Sequence, residues 1–400
     1  MRQQSGARIR RNVWTVAFAA LWLAGACGSG ETSKPAADTA ATTDAGSDTQ
    51  TSIDWSTDGP HPVGHVDFVL HDAKRNRDLR VTAWYPAAES SRTAAEKGVL
   101  LADFYPVDSP EHATLTALLA KAPKCVRPQT RSAASAEPAG TGWPLVAFSH
   151  CHTCLRFENT TVNERLASHG IAVVAPDHTG NTLFDFLAGK SATLGVPFLQ
   201  TREDDIRFVV DQVLDPSNTA IPQVIRGKFD PARVAALGHS FGGVTIGKAI
   251  QDDPRFKAGF AMAVPMAQPI LPGVKMADIH VPVGFLLAQE DNSILLIGNN
   301  FLLKNFADAN PPAWLVQVAD AGHFSFADIA GIIPNFDAGC GDGKRMADQS
   351  PFTYLDNGVA RQVAARVVGA FFGQTLLGDA KANAQIVAAE PPGVVTATQK

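Results

Sequence analysis

One short stretch constrains this chain more than any other: Gly238-His239-Ser240-Phe241-Gly242, followed at once by Gly243. A serine set between glycines at this spacing suits a turn so sharp that the serine takes strained dihedrals and its neighbours must carry no bulk. In a chain with 33 glycines the pattern alone arises easily by chance. Here the apolar run 233–237 precedes it as a buried strand, and residues 244–250 follow as a helix. Such a turn lifts the hydroxyl clear of the sheet and sets it at a helix N-terminus, where the dipole favours developing negative charge. Ser240 is the expected nucleophile.

The rest of the chain supplies the setting for that turn. Segments 66–70 and 79–85 have no helix between them and read as an antiparallel start. Short apolar runs follow at 145–148, 171–175, 234–237, 258–264, 283–287 and 314–318, each flanked by Gly, Pro or Asp in the manner of buried strands. Helices fill the gaps. The clearest spans 202–214, with Thr201 as its cap and Ile206, Val209, Val210, Val213 and Leu214 as one apolar stripe. Another lies near 359–372. The expected fold class is α/β, a mostly parallel central sheet with helices on both faces.

Position then selects the partners of Ser240. In a strand–loop arrangement of this kind the order is serine, acid, histidine, each on a loop after a strand. Only His280 and His323 follow Ser240. His280 precedes a strand, at the wrong end of the sheet, whereas His323 follows the strand 314–318, so His323 is the expected base. Among the acids, Asp252 and Asp253 end a helix, Asp278 precedes a strand, Asp308 falls in a helix, and Asp320 is too near His323. Asp291 follows directly on a buried strand and is the expected acid, with Glu290 as the alternative. Two backbone N–H groups are expected to receive the oxyanion, that of Phe241 and that of His152 in the loop after the third strand. Such a set works by attack on an ester and an acyl-enzyme, with no metal or organic cofactor.

The N-terminus reads as an export signal. Arg2, Arg8, Arg10 and Arg11 precede an apolar run, 13–26, that is too short for a comfortable membrane span. Ala24-Gly25-Ala26 fits a cleavage site, and Leu23-Ala24-Gly25-Ala26-Cys27 fits a lipobox with alanine where leucine is usual. Residues 1–27 are therefore read as a signal peptide and Cys27 as a lipidation site, simple secretion being the alternative. Residues 28–57, mostly Ser, Thr, Ala, Gly and Asp, lack the apolar side chains to offset ordering and read as a disordered tether. A catalytic domain is expected over 58–380, with a C-terminal tail at 381–400. Export makes disulfides among Cys125, Cys151, Cys154 and Cys340 plausible, and three pairings are open. Cys151-His152-Thr153-Cys154 lacks the further ligands of a metal site.

Several of these pieces also resemble a known family. They are Gly64 with 79–86 (LRVTAWYP), Phe148-Ser149-His150, 166–181 (LASHGIAVVAPDHTGN), 202–211, 229–243 (FDPARVAALGHSFGG) and 322–328 (GHFSFAD). In order and character they resemble the bacterial group of predicted dienelactone hydrolases, relatives of platelet-activating-factor acetylhydrolase and more distantly of polyester-degrading cutinases, over residues 60–375. The resemblance implies the α/β-hydrolase fold and a serine esterase acting on short-acyl, dienelactone or polyester-type esters. Two departures stand out. Cys151 occupies a position where the family usually has glycine, so a disulfide is one way to hold that loop. The acetylhydrolases also carry their acid after the strand equivalent to 258–264, where this chain has only apolar residues and Pro265.

The expected partner is a small-molecule or lipid-like ester, with residues 182–200 either choosing it or simply covering the core. The net charge of −5 gives no electrostatic reason to expect nucleic acid. A monomer is expected, touching a membrane only through an acylated Cys27. The competing classes are a peptidase or amidase on the same fold and a non-catalytic surface lipoprotein.

Overall fold

The computed structural model describes residues 53–400. The expected signal peptide, Cys27 and residues 28–52 of the expected tether lie outside the described residues.

An antiparallel hairpin opens the sheet, β1 (Val63–Asp72) and β2 (Arg77–Pro86), followed by α1 (Arg92–Lys97), α2 (Pro110–Leu119) and the short β3 (Ser132–Ala134). The alternating part runs β4 (Trp143–Ser149), α3 (Thr160–Ser168), β5 (Ala172–Pro176), α4 (Leu183–Leu187), α5 (Val196–Leu214), β6 (Phe229–His239), α6 (Phe241–Asp252) and β7 (Phe256–Met262). It continues with β8 (Val283–Ala288), α7 (Leu295–Asp308) and β9 (Ala313–Val318). A ribbon of β10 (Asp342–Lys344) and β11 (Pro351–Thr353), then α8 (Asn357–Leu377), α9 (Ala382–Ile386) and β12 (Val395–Gln399) complete the chain.

Ten strands form one sheet in the order β12-β9-β8-β7-β6-β4-β5-β2-β1-β3. From β9 to β5 every neighbouring pair is parallel, as the continuous apolar runs require of strands covered on both faces. β2 joins β5 antiparallel and β1 joins β2 antiparallel. One face packs side chains such as Val162, Leu166, Val363 and Val367 of α3 and α8. The other packs Ile206, Val209, Val244 and Leu302 of α5, α6 and α7. The α/β expectation, antiparallel start included, holds.

Three boundaries differ from expectation. The helix expected to start after Thr201 begins at Val196, so Thr201 is internal and its hydroxyl bonds back to the Pro197 carbonyl at 3.0 Å. The stretch read as a tail enters the sheet, because β12 pairs antiparallel with β9 along its outer edge. Only Val395 of that strand is buried, which is why its Thr-rich pattern resembles a loop. The fold also takes up the end of the expected tether. Trp55 is fully buried, its indole N–H donates to Asp379 at 3.1 Å, and its ring lies where a Cβ on Gly369 or Gly373 of α8 would collide.

Candidate active site

The loops that leave the carboxyl ends of β4, β6, β8 and β9 converge on Ser240. That residue lies between β6 and α6 at φ 53° and ψ −129°, in left-handed backbone space that a residue with a Cβ enters only under constraint. The constraint is visible. The Ser240 N–H donates to the Met262 carbonyl at 3.0 Å, and the Gly243 N–H returns to the Ser240 carbonyl at 2.7 Å. A Cβ on Gly242 would strike the Ser149 carbonyl, and one on Gly238 would strike Gly242 itself. The glycines are there so that β4, β6 and α6 can close on one another.

Chain position and geometry select the same three residues. The Ser240 hydroxyl donates to His323 Nε2 at 2.7 Å, and His323 Nδ1–H donates to Asp291 Oδ2 at 2.7 Å. Asp291 is fully buried, and its second oxygen accepts the N–H groups of Ser293 at 3.0 Å and Ile294 at 3.1 Å. Those bonds fix the carboxylate, which in turn fixes the imidazole tautomer with Nε2 free to accept from serine. Glu290 is engaged elsewhere, by the Arg345 guanidinium at 3.1 Å and the Met346 N–H at 2.8 Å. Asp320 pairs with the same arginine. His280 is exposed beside Asn310, ahead of β8.

The two expected oxyanion donors are also brought near. Phe241 opens α6, so its N–H has no partner within the helix. Among the described residues neither that N–H nor the one of His152 is taken up by a protein acceptor. The rings of Phe241 and His152 meet edge to face at 6.5 Å. Asn181 holds the His152 ring, donating from Nδ2 to Nδ1 at 2.7 Å. Burial lowers the pKa of His152. Cys151 is bonded to Cys154, so a disulfide does span the loop at the position where a glycine is usual, and Cys125 is bonded to Cys340.

Sequence reasoning missed the layer beneath these groups. Glu158, from the loop before α3, accepts the Cys151 N–H at 2.7 Å and faces His239 Nδ1 at 3.3 Å. His239 Nε2–H donates to the His323 carbonyl at 2.9 Å, tying the end of β6 to the loop after β9. Burial works against charge on His239, but Glu158, the His323 carbonyl and Asp291 together outweigh it and the pKa is raised. Below the loop after β4 runs a buried chain in which Asp205 accepts from His178 Nδ1–H at 3.0 Å and His178 Nε2 accepts from the Ser149 hydroxyl at 2.9 Å. Cys151, Glu158 and His239 each bring a ligand-type atom within 4.8 Å of the others. With the sulfur bonded to Cys154 and Glu158 holding a backbone N–H, that set does not suit a metal ion.

Comparison with known proteins places the chain in a family. The sequence pattern of "Platelet-activating factor acetylhydrolase, isoform II" matches residues 45–185 and 206–357. Platelet-activating factor acetylhydrolase of Cavia porcellus is 27% identical over 222 residues, which cover 48% of this chain and 49% of that protein. The one from Gallus gallus is 22% identical over 323 residues, 68% of this chain and 73% of the other. The chain thus spans about half the length of the Cavia porcellus relative. A ferulic acid esterase from Streptomyces cinnamoneus superposes with a TM-score of 0.59 at 24% identity, covering 80% of this chain and 92% of the other, a likeness of fold. By the extent of the family match, this chain belongs to the family of platelet-activating factor acetylhydrolase, isoform II.

Proposed function

We propose that the chain hydrolyses carboxylic esters through an acyl-enzyme on Ser240. The observation that carries this is the unbroken relay from Ser240 through His323 to buried Asp291, with both links at 2.7 Å. His323 takes the hydroxyl proton as Ser240 Oγ adds to the ester carbonyl. The carbonyl oxygen becomes an oxyanion facing the N–H groups of Phe241 and His152. Collapse expels the alcohol, which leaves with the proton from His323. Water, activated by the same imidazole, then releases the acid. Asp291 orients the ring and stabilises its charged form without taking the proton itself.

The family's acetylhydrolase name supports a short acyl group, and residues 182–200, which take in α4 and the start of α5, support a role in choosing it. Leu183 is buried and Phe198 stacks on Phe241 at 6.4 Å, whereas Leu187, Leu194 and Val196 are exposed. The stretch thus packs partly on the core and leaves other apolar side chains exposed, and the exposed ones support the proposed role in acyl choice. The test is a series of p-nitrophenyl esters from acetate to palmitate, with a p-nitroanilide for comparison. Wild type should turn over the short esters fastest, and Ser240→Ala should lose at least about 10³-fold in kcat. Equal rates for the two proteins would refute the mechanism, and faster anilide cleavage would favour the amidase class.

A further inference from the structure

Among the described residues Arg156, in the loop before α3, and Arg202 are fully buried, and they are treated in opposite ways. Arg156 sits between Asp177 at 2.7 Å and Asp67 at 2.9 Å, a compensated charge. Arg202, on α5, has no carboxylate within 4 Å among the described residues, and its Nε has no hydrogen-bond partner. Asp205 and Glu158 are the acids that act on it from farther off. Burial pulls its pKa down to about 9, which still leaves it charged at neutral pH. An uncompensated buried cation is costly, and folds retain one where its field or its hydrogen bonds are used.

Three of the four hydrogen bonds of Arg202 end on Ser149, His150 and Cys151 at the end of β4 and in the loop after it, and the fourth reaches Asn181 in the loop after β5. Nη1 donates to Asn181 Oδ1 at 2.7 Å and to the Cys151 carbonyl at 3.5 Å. Nη2 donates to Ser149 Oγ at 3.0 Å and to the His150 carbonyl. The guanidinium lies over the Phe241 ring, 4.7 Å from its centroid. The Cys151 carbonyl belongs to the same peptide group as the His152 N–H, so charge drawn from that carbonyl makes the N–H a stronger donor. His150 Nδ1–H reaches the same carbonyl at 2.7 Å, from a ring that burial keeps neutral. The Asn181 amide, oriented by Arg202, in turn holds the His152 ring. One side chain therefore touches the support of both proposed donors.

We propose that Arg202 is the positioning residue of the oxyanion hole. It holds the Cys151–His152 peptide in register with Phe241 and sets a positive charge behind the point where the substrate oxygen becomes negative. This rests on the ester-hydrolase reading above. It acts in the transition state, where the oxygen carries charge, more than in the bound ground state, so its loss should appear in kcat rather than KM.

The experiment compares wild type, Arg202→Met and Arg202→Lys with p-nitrophenyl acetate, alongside the labelling rate of Ser240 by an alkyl fluorophosphonate and thermal melting. Arg202→Met should lose about 10²-fold in kcat with KM changed less than about threefold, and labelling should slow in parallel. Arg202→Lys keeps the charge without the fork and should recover about a tenth of the wild-type kcat. If Arg202→Met does not fold, the lysine variant decides: a kcat equal to wild type overturns the proposal. So does a folded methionine variant with unchanged kcat, or one whose loss lies in KM alone. Wild type that neither turns over ester nor labels at Ser240 would end the hydrolase reading and this proposal together. Active wild type with indifferent variants would end this one alone.

Discussion

At the scale of single residues, the relay separates two neighbouring acids. Asp291 and Glu290 leave the same strand end, yet only Asp291 reaches His323, and Glu290 holds Arg345 and the Met346 N–H. Asp291→Asn should lower kcat by about 10³- to 10⁴-fold, since an amide cannot hold the imidazole in the tautomer that accepts from serine. Glu290→Gln should leave kcat close to wild type, and a steady-state comparison of the two variants checks the assignment. The opposite ranking would move the acid to Glu290. That Ser240, Asp291 and His323 would meet was readable in the sequence because strand-end position is a local property. Arg202 had a signal that went unused: it sits four residues before Ile206 and seven before Val209, on the buried stripe of α5. What it binds comes from the loops after β4 and β5, and no spacing along the chain reveals that. The same is true of Glu158 and His239.

At the scale of elements, the loops after β4 and β5 rest on two neutral rings. Burial holds His150 and His178 well below the ordinary histidine pKa, with the Arg202 charge as a second cause in both. A group whose folded pKa is depressed binds fewer protons folded than unfolded, so folding stability falls as pH drops below the unfolded value of about 6.5. Each ring should cost roughly tenfold in the folding equilibrium per pH unit below that point. His239, with its raised pKa, acts in the opposite direction at higher pH and does not offset this loss. Denaturant unfolding at pH 7.5, 6 and 5 should therefore show stability declining with acidity, and His178→Asn should decline less steeply than wild type. Parallel curves for the two would show that His178 does not carry the effect. Element types were legible because the apolar runs of buried strands are distinctive. Boundaries were less so: Thr201 resembles a cap only until the preceding Gly195-Val196-Pro197 is seen to start the helix. An edge strand like β12, with one buried residue, carries too little pattern to tell from a loop.

At the scale of the whole molecule, covalent and packing ties join distant parts of the chain. Cys125 and Cys340 are 215 residues apart with Cα atoms 5.7 Å from each other, and they link the region before β3 to the loop after His323. Closing so long a loop removes much freedom from the unfolded chain. Replacing both cysteines with serine should lower unfolding free energy by about 2–5 kcal/mol, measured by urea titration of the oxidised protein. An unchanged midpoint would mean that the bridge contributes nothing. The sequence allowed three pairings because nothing local says which loops meet above the sheet. Trp55 was harder still to foresee, a lone aromatic in a polar stretch whose pocket is cut by Gly369 and Gly373 more than 300 positions later, as the separation of 324 to its partner Asp379 reflects. Its placement has a mechanical consequence. A pull applied to the chain upstream of Ile53 reaches the body at Ile53, whose carbonyl accepts from Gln385, and then at Trp55, whose indole is seated against α8 and whose backbone carbonyl and N–H are held by Arg165 and Gln385. The load therefore enters through three helices, α3, α8 and α9, and not directly through a strand whose end carries Ser240, Asp291 or His323.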